Sequence, residues 1–422
     1  MRVLWVSASA IGPASRILAE KYSGSSGSWI QTIYEEMISE TKPDMFFLCF
    51  SKSLKPGAIE HRCSEEGEAF RTFMPTISLG RTAPKKVKKA VEIIINKIHP
   101  DIIHIWGTET CVQNIVAECG KGIPKVVFIQ GIIGIHDRYH NINVKRYGLS
   151  LSKPLLSVFR DKLHDSLFHK QIQFEKKEIL LAGNVIIDND FSRAYCESLS
   201  EKINYYYYPL NSRSIFSQRK WGYDSCIKNT IFTVYGAAQD KGLFQLIRAV
   251  HLVKREFPDV KLLIPGRFGI ANNNGRFYGS TAYEKFIAKL INEYGLSKNI
   301  KFLGQLSQEE MASELLKAHI FVNPSAMEVH AGSLREAMTT GTPSISSYCG
   351  SVSEFVRDGE CGFLYRYEEF EVLAQKIKRY FNDRDLCANV SVAEIKEMEN
   401  RNTNTNGLLM KIYSEIITGN NH

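Results

Sequence analysis

The sequence predicts an α/β protein with two doubly wound, Rossmann-like domains that face a deep cleft. Short apolar segments alternate with amphipathic helical patterns, which is typical of parallel sheets covered by helices. This alternation occurs twice along the chain, and 422 residues are more than a single hydrophobic core usually contains. The two repeats join near residues 205–215, where a tyrosine-rich stretch leads into Pro209 and a polar turn.

Each repeat supplies five strand candidates with helical patterns between them. In the first repeat, predicted to form a domain over residues 1–207, the strands are at 3–7, 45–50, 102–106, 125–130 and 184–187, with helices at 28–40 and 85–98. In the second, over residues 208–395, they are at 230–235, 261–264, 300–303, 320–323 and 344–347, with helices near 242–256, 282–294, 308–317 and 333–340. A last amphipathic segment at about 404–418 is expected to pack back on the first domain.

Composition is that of an ordinary globular protein, with 44% hydrophobic and 23% charged residues. The net charge of +8 suits an anionic partner such as a nucleotide diphosphate or a membrane surface, or it serves solubility alone. It is too low to indicate a nucleic-acid partner. Nine cysteines without a close Cys-x-x-Cys pair indicate buried thiols in a reducing compartment, and no zinc spacing appears.

The first residues, MRVLWVSAS, are interpreted as a buried strand and not as a secretory leader. No segment approaches the roughly 18 apolar residues of a membrane span. We therefore expect a cytoplasmic protein, with peripheral contact at the inner face of the membrane. Segment 132–177 is basic, with Leu and Phe at helical spacing, and suits a membrane surface or an acceptor site. The alternative is an ordinary helical pair packed on the sheet.

The strongest local signal is FVNPSAMEVHAGSLREAMTTG, residues 321–341. A strand ends at Asn323, a loop carries Glu328, and a helix starts near Ser333 with Glu336 in its first turn. Ligands of open α/β sheets bind beyond the carboxyl ends of strands, and amides at a helix start bind anions. The block predicts a diphosphate site at residues 332–334 and two carboxylates for sugar hydroxyls. The alternatives are a capping box, with Glu336 bonded to the Ser333 N–H, and a solvated loop carboxylate at Glu328.

The pattern Asn-Pro-Ser, then Glu-x7-Glu-Ala-Met-x-x-Gly-x-Pro, resembles the family 4 retaining glycosyltransferases of the GT-B fold. GAAQDKG at 236–242, KLLIPG at 261–266 and IKFLG at 300–304 fall where that family has phosphate-binding and strand-and-loop markers. HIWGTE at 104–109, IQG at 129–131 and NDFSRA at 189–194 resemble a subgroup linked to bacterial surface polysaccharide assembly. The resemblance is strong over about 205–395 and weaker before it.

The resemblance implies a metal-independent, retaining hexosyltransferase. It would move a hexose-type sugar from a UDP or GDP donor to a glycan or lipid-linked glycan acceptor, with no cofactor beyond the nucleotide sugar. The first domain would bind the acceptor and the second the nucleotide sugar. The alternatives are a catalytically silent scaffold, a sugar-nucleotide epimerase, and a metal-dependent transferase suggested by Asp188 and Asp190 in VIIDND.

The resemblance also implies roles for matched residues. Lys241 would neutralise the diphosphate and carry catalysis with Glu328, while Glu336 would bind the ribose. The other donor-binding candidates are Gly24, Gly27, Gly236, Arg267, His330, Gly332, Ser333 and Leu334, and the acceptor-binding candidates are Glu109, Gln130, His136 and Arg138. The chain departs from the family at two of these positions, because many members have Arg in place of Gly236 and His in place of Gln130.

Overall fold

The computed structural model describes residues 1–18, 28–76, 80–139, 155–234 and 238–419. It divides into two compact units. The first unit comprises Met1–Asp137, Lys153–Pro209 and Asn404–His422, and the second comprises Arg138–Ser152 and Leu210–Thr403. Among the described residues, no helix combines the length and the apolar character needed to cross a membrane.

The first unit contains an eight-stranded sheet in the order β3-β4-β2-β1-β5-β6-β7-β8, parallel except for the antiparallel β3–β4 hairpin. Its strands are β1 (Arg2–Val6), β2 (Asp44–Ser51), β3 (Ile59–Ser64), β4 (Gly67–Phe73), β5 (Ile102–Trp106), β6 (Lys125–Phe128), β7 (Asn184–Ile187) and β8 (Asn204–Tyr207). The hairpin was not predicted, since β3 is mostly exposed and polar and lacks the apolar run that marked the other strands. The strand β8 lies in the tyrosine-rich stretch that was interpreted as the join.

The second unit contains a six-stranded parallel sheet in the order β13-β10-β9-β14-β15-β16, and a separate β11–β12 hairpin. Its strands are β9 (Ile227–Thr233), β10 (Lys261–Pro265), β11 (Ile270–Asn273), β12 (Arg276–Gly279), β13 (Ile300–Gly304), β14 (Ala318–Asn323), β15 (Ser344–Ser347) and β16 (Phe363–Tyr365). The chain builds outward from β9 through β10 to β13, and then continues on the other side of β9 with β14. The topological switch point, where open sheets bind ligands, therefore lies between β9 and β14.

Fourteen α-helices are described. They are α1 (Pro13–Ile17), α2 (Ser28–Glu40), α3 (Lys85–Ile98), α4 (Cys111–Glu118), α5 (Ile133–Tyr139), α6 (Leu155–Ala182), α7 (Asp190–Glu197), α8 (Leu243–Val253), α9 (Ala282–Glu293), α10 (Gln308–Lys317), α11 (Gly332–Thr340), α12 (Phe370–Asn382), α13 (Arg384–Arg401) and α14 (Leu408–Thr418). Helix α3 shows how sequence sets packing, because its Val87, Val91, Ile94 and Ile98 recur at helical spacing and are buried.

The C-terminal helix α14 packs within the first unit. Its Leu409, Ile412, Tyr413 and Ile416 form one buried stripe. The Tyr413 hydroxyl accepts a hydrogen bond from Trp5 Nε1 on β1 at 2.9 Å. The chain therefore returns to the central strands of the first sheet after completing the second unit.

Candidate functional site

Lys241 and Glu328 meet where β9 and β14 end in the second unit. Lys241 closes a short 3₁₀ turn after β9, and Glu328 lies in the loop between β14 and α11. Lys241 Nζ donates to Glu328 Oε1 at 2.7 Å, and their side chains are 31% and 15% exposed. Burial lowers the pKa of Lys241, but the Glu328 carboxylate outweighs it and the net shift is upward. Lys241 therefore stays cationic at neutral pH while remaining accessible to an anion.

The main chain brings the two loops together at Gly242. This residue has φ 72°, and a Cβ there would lie 1.8 Å from the carbonyl oxygen of Pro324. Beside it, the Ala326 N–H donates to the Asp240 carbonyl at 2.6 Å. Only glycine permits both this backbone conformation and this approach, so the position of Lys241 is fixed by its neighbour.

The Glu328 loop is held from the other side by the turn after β15. Gly350 has φ 50°, and a Cβ there would lie 1.7 Å from the Glu328 carbonyl oxygen. The same oxygen accepts the Ser351 N–H at 3.2 Å. Glu328 is thus positioned by backbone contacts on both flanks, which leaves its side chain to face Lys241.

Helix α11 begins at Gly332, and Ala331 occupies the N-cap position with a left-handed φ of 46°. The N–H groups of Leu334 and Arg335 return to the Ala331 carbonyl at 3.0 and 3.1 Å. The amides of Gly332 and Ser333 therefore precede the first helical bonds. A Cβ at Gly332 would meet nothing within 4 Å. The helix start thus presents two amides beside open space, which is the arrangement that binds anions.

Glu336 does not form the capping box that the local sequence allowed, because Ser333 is the second residue of α11 and not its N-cap. Instead, Arg213 Nε donates to Glu336 Oε1 at 2.9 Å, and Arg213 Nη2 contacts the same oxygen. The side chains are 21% and 13% exposed. Burial raises the pKa of Glu336, and the guanidinium opposes the shift without reversing it. Sequence reasoning missed Arg213, which lies in a polar turn without a motif.

The remaining donor-binding candidates divide into two groups. His330 is half-buried in the same loop as Glu328, and Arg267 is exposed after β10, the neighbour of β9. Both lie at the carboxyl edge of the second sheet. Gly24, Gly27 and Gly236 lie outside the described residues.

A cavity of about 1070 Å³ adjoins the Glu328 loop in the second unit. Ala326 from that loop lines it, together with Tyr348, Tyr365 and Tyr367. Tyr348 is 64% exposed, and the buried Tyr365 hydroxyl has no hydrogen-bond partner among the described residues. The volume suits a ligand the size of a nucleotide sugar or of part of a glycan.

In the first unit, Glu109 and Gln130 follow the neighbouring strands β5 and β6. The Glu109 side chain folds back over both strand ends. Its carboxylate oxygens would lie 2.2 Å from a Cβ added at Gly107 and 3.2 Å from one added at Gly131. Burial raises the pKa of Glu109 to about 7. The other two acceptor-binding candidates lie on α5. His136 is half-buried in the first unit, and Arg138 is exposed and is counted with the second unit.

Two fully buried acids on α6, Glu175 and Glu178, lie near Glu109 and were not predicted from the sequence. Glu175 accepts four hydrogen bonds, from Thr108 Oγ1 at 3.0 Å, the Ile133 and Gly134 amides at 2.7 and 3.0 Å, and the Tyr195 hydroxyl at 2.6 Å.

Glu178, one turn further along α6, has no hydrogen-bond partner for either oxygen within the described residues. Burial, reinforced by Glu109 and Glu175, raises its pKa well above the ordinary range. The described part of segment 132–177 comprises α5 and the first part of α6, and α6 packs against α4 and β6 in the first unit. The membrane-surface and acceptor roles of this segment stay predictions.

The residues that suggested a metal-dependent transferase form a helix start. The Asn189 side chain caps α7 by accepting the Ser192 N–H at 2.7 Å. Asp188 is buried, and Asp190 is an exposed acid in the first turn of α7. Within the described residues, neither carboxylate belongs to a group of metal-ligand atoms. The capping role explains the VIIDND pattern.

Residues 227–397 match the sequence family described as Glycosyl transferases group 1. A D-inositol 3-phosphate glycosyltransferase from Corynebacterium urealyticum is 26% identical over 147 residues, 34% of this chain and 33% of that protein. The chain thus aligns with about a third of the length of the curated relatives that it matches first.

Likeness to solved structures covers almost the whole chain, as two examples show. Sucrose-phosphate synthase from Thermosynechococcus elongatus has a TM-score of 0.72 and 17% identity, covering 99% of both chains. HepE from Anabaena, in complex with UDP-glucose, has a TM-score of 0.63 and 17% identity, covering 99% of this chain and 100% of that one. These likenesses confirm the predicted GT-B fold.

Proposed function

Because residues 227–397 carry the Glycosyl transferases group 1 domain and the chain has the GT-B fold, we propose that the protein is a retaining hexosyltransferase. It moves a hexose-type sugar from a UDP or GDP donor to a glycan or lipid-linked glycan acceptor. The observation that carries this proposal is the Lys241–Glu328 pair at the switch point of the second sheet, followed along the chain by the start of α11. The first two amides of that helix have no backbone hydrogen bond within the described part of the chain.

The proposed chemistry depends on stabilising a diphosphate leaving group. Breaking the bond between sugar and diphosphate places negative charge on the phosphate oxygens. The Lys241 ammonium and the Gly332 and Ser333 amides would meet that charge in a partly buried setting, where such interactions are strong. Charge on the diphosphate would also draw Lys241 away from Glu328. The Glu328 carboxylate could then accept hydrogen bonds from the sugar hydroxyls.

Glu336 would hold the nucleotide ribose. Arg213 contacts Oε1 of the carboxylate, and we assign Oε2 to the ribose hydroxyls. The Arg213 guanidinium keeps the carboxylate oriented. Front-face attack by the acceptor hydroxyl, with its proton passing to the leaving phosphate oxygen, would retain the configuration and would need no metal.

The acceptor is assigned to the first unit, at the carboxyl ends of β5 and β6. Glu109 and Gln130 offer hydrogen-bond acceptors and donors there, and a sugar acceptor is rich in hydroxyl groups. The resemblance of three first-unit motifs to polysaccharide enzymes supports a bacterial surface glycan as the product. We place the reaction in the cytoplasm at the inner face of the membrane, where a lipid-linked acceptor would be presented.

A thermal-shift panel of UDP- and GDP-sugars on the wild type, Glu336→Ala and Glu399→Ala tests donor binding. Glu399 is an exposed acid on α13 in the same unit and serves as the matched control. We expect one donor to stabilise the wild type and Glu399→Ala, with a clearly smaller shift for Glu336→Ala. The comparison uses the ligand-induced shift, because loss of the Arg213–Glu336 ion pair lowers the baseline melting temperature. An equal shift in all three proteins would exclude Glu336 from the site.

Turnover separates the transferase from its alternatives. The donor found by the panel is incubated with and without glycan acceptors, in the presence of EDTA. We expect nucleotide release that requires acceptor and survives the chelator. Conversion of the donor alone would favour an epimerase, and binding without turnover on any acceptor would favour a scaffold. Activity that EDTA abolishes and Mn²⁺ restores would contradict the metal-independent mechanism.

A further inference from the structure

Three side chains with metal-binding atoms share one face of the β3–β4 hairpin, at the edge of the first sheet. In the antiparallel register Cys63 lies opposite Glu68, and His61 lies opposite Phe70. His61 and Cys63 are two residues apart on β3, so they point to the same side, as do their cross-strand partners. Sequence spacing alone did not reveal this group, since one ligand comes from the neighbouring strand.

The nitrogen, sulfur and oxygen atoms that could bind a metal lie almost as close together as the ligands of a single ion. His61 Nε2 is 2.7 Å from Glu68 Oε2 and 3.4 Å from Cys63 Sγ. All three atoms lie within 4.8 Å of one another. Tetrahedral zinc, with bonds of about 2.0–2.3 Å, places its ligand atoms roughly 3.3–3.6 Å apart. The sulfur and nitrogen already satisfy this spacing, and a small rotation of the Glu68 side chain would complete it.

The His61 ring is held by its surroundings. It stacks on Phe70, which is buried, with ring centroids 4.3 Å apart and an interplanar angle of 10°. Lys97 from α3 places Nζ 3.3 Å from His61 Nδ1. The ammonium donates to Nδ1, so Nε2 carries the ring proton and donates to Glu68. Metal binding at Nε2 would move this proton to Nδ1 and turn the exposed Lys97 towards solvent.

We propose that His61, Cys63 and Glu68 bind one zinc-class divalent cation, with the fourth position open to water. Mixed nitrogen, sulfur and oxygen ligands favour zinc or cobalt over magnesium and calcium, which prefer oxygen. The Cys63 thiol releases its proton to solvent as the thiolate–metal bond forms. The bound ion would clamp β3 to β4 at an exposed sheet edge. The site is independent of the proposed transfer reaction, since all its ligands lie on this hairpin.

Cobalt titration of the metal-free full-length protein tests the site. We expect one equivalent of Co²⁺ to give a thiolate-to-cobalt charge-transfer band and tetrahedral visible bands, and one equivalent of Zn²⁺ to remove them. Cys63 is the one exposed cysteine; seven others are buried and Cys349 is half-buried. The band should vanish in Cys63→Ser, and cobalt affinity should fall at least about tenfold in His61→Ala and Glu68→Gln.

Matched variants make the result decisive. Glu65→Gln, an exposed acid in the hairpin turn, and His169→Ala, an exposed histidine on α6, should bind cobalt as the wild type does. Lys97→Met should bind more tightly, because it removes a cation beside His61. All the substituted side chains are at the surface, so circular dichroism should show a folded protein in each case. Absence of the band in the wild type, or a band that persists in Cys63→Ser, would overturn the proposal.

Discussion

Acidic residues gather near the carboxyl ends of strands in both units, on loops and on helices, but their surroundings differ. At the switch point of the second sheet each acid has a cation, Glu328 with Lys241 and Glu336 with Arg213. In the first unit, Glu109, Glu175 and Glu178 gather without one. Within the described residues, no lysine or arginine pairs with these three acids.

This difference fits the two ligands that we propose for the two edges. A diphosphate needs a cation that can leave its protein partner and bind the ligand. Lys241 is partly exposed beside Glu328 and is such a cation. A neutral sugar acceptor needs hydrogen-bonding groups, and the Glu109 carboxyl group, whose pKa burial raises to about 7, provides one. The contrast therefore supports a donor site on the second unit and an acceptor site on the first.

The largest expected effect comes from Lys241→Met. It removes the positive charge that would stabilise the leaving diphosphate, and kcat should fall by about 10²–10³-fold. Steady-state kinetics with the donor found by thermal shift measures this loss. Lys285→Met, an exposed lysine on α9, should retain wild-type activity. An unchanged kcat in Lys241→Met would show that the Lys241 cation does not contribute to catalysis.

A matched pair of substitutions in the first unit should have unequal effects on folding. Glu175→Gln exchanges one oxygen that accepts hydrogen bonds for an amide that donates them, and should cost about 2–4 kcal/mol. Glu178→Gln replaces a buried acid whose raised pKa favours the neutral form, and should cost less than about 1 kcal/mol at neutral pH. Urea unfolding measures both. Equal losses would contradict the difference in hydrogen bonding between the two carboxyl groups.

The raised pKa of Glu178 also predicts that the free energy of unfolding depends on pH. The folded-state pKa of Glu178 is raised above its ordinary value of 4.5, so its stabilising contribution is complete below that value. It is lost as pH rises through the folded-state pKa. Glu178→Gln lacks this loss and should gain stability relative to the wild type as pH increases. A constant difference across pH would show that Glu178 titrates normally.

Glu109→Gln should alter acceptor use by about tenfold in kcat/KM and leave the donor KM unchanged, because it removes a hydrogen-bonding carboxylate only from the first unit. In the wild type, the ionised fraction of Glu109 rises through about pH 7, and acceptor kcat/KM should rise with it. The variant should lack this limb of the pH profile. Glu201→Gln, an exposed acid in the same unit, is the control. An unchanged profile would exclude Glu109.

Gly332→Ala is expected to have the smallest effect. The added methyl group meets open space, so the free energy of unfolding should stay within about 0.5 kcal/mol of wild type. It would nevertheless stand beside the amides assigned to the diphosphate and should weaken nucleotide binding a few-fold. Calorimetric titration and urea unfolding separate the two effects. Unchanged nucleotide affinity would contradict binding of the diphosphate at the start of α11.

The sequence predicted what local pattern determines. Apolar runs marked β5, β7 and β15 with the bounds that the structure gives, and the Glu-x7-Glu spacing placed Glu328 and Glu336 around one helix start. Partners contributed by distant segments were not predictable in this way. Arg213 is separated from Glu336 by 123 positions, and β3 is polar and exposed because it is the edge strand of its sheet. Such contacts depend on tertiary packing, which periodicity does not encode.

Calorimetric titration of UDP and GDP into the wild type, Lys241→Met, Glu336→Gln and Glu109→Gln tests the contrast between the two edges most directly. We predict that one nucleotide binds the wild type and Glu109→Gln with equal affinity and binds the other two variants at least about tenfold more weakly. Wild-type affinity in Lys241→Met and Glu336→Gln, together with loss of binding in Glu109→Gln, would contradict it.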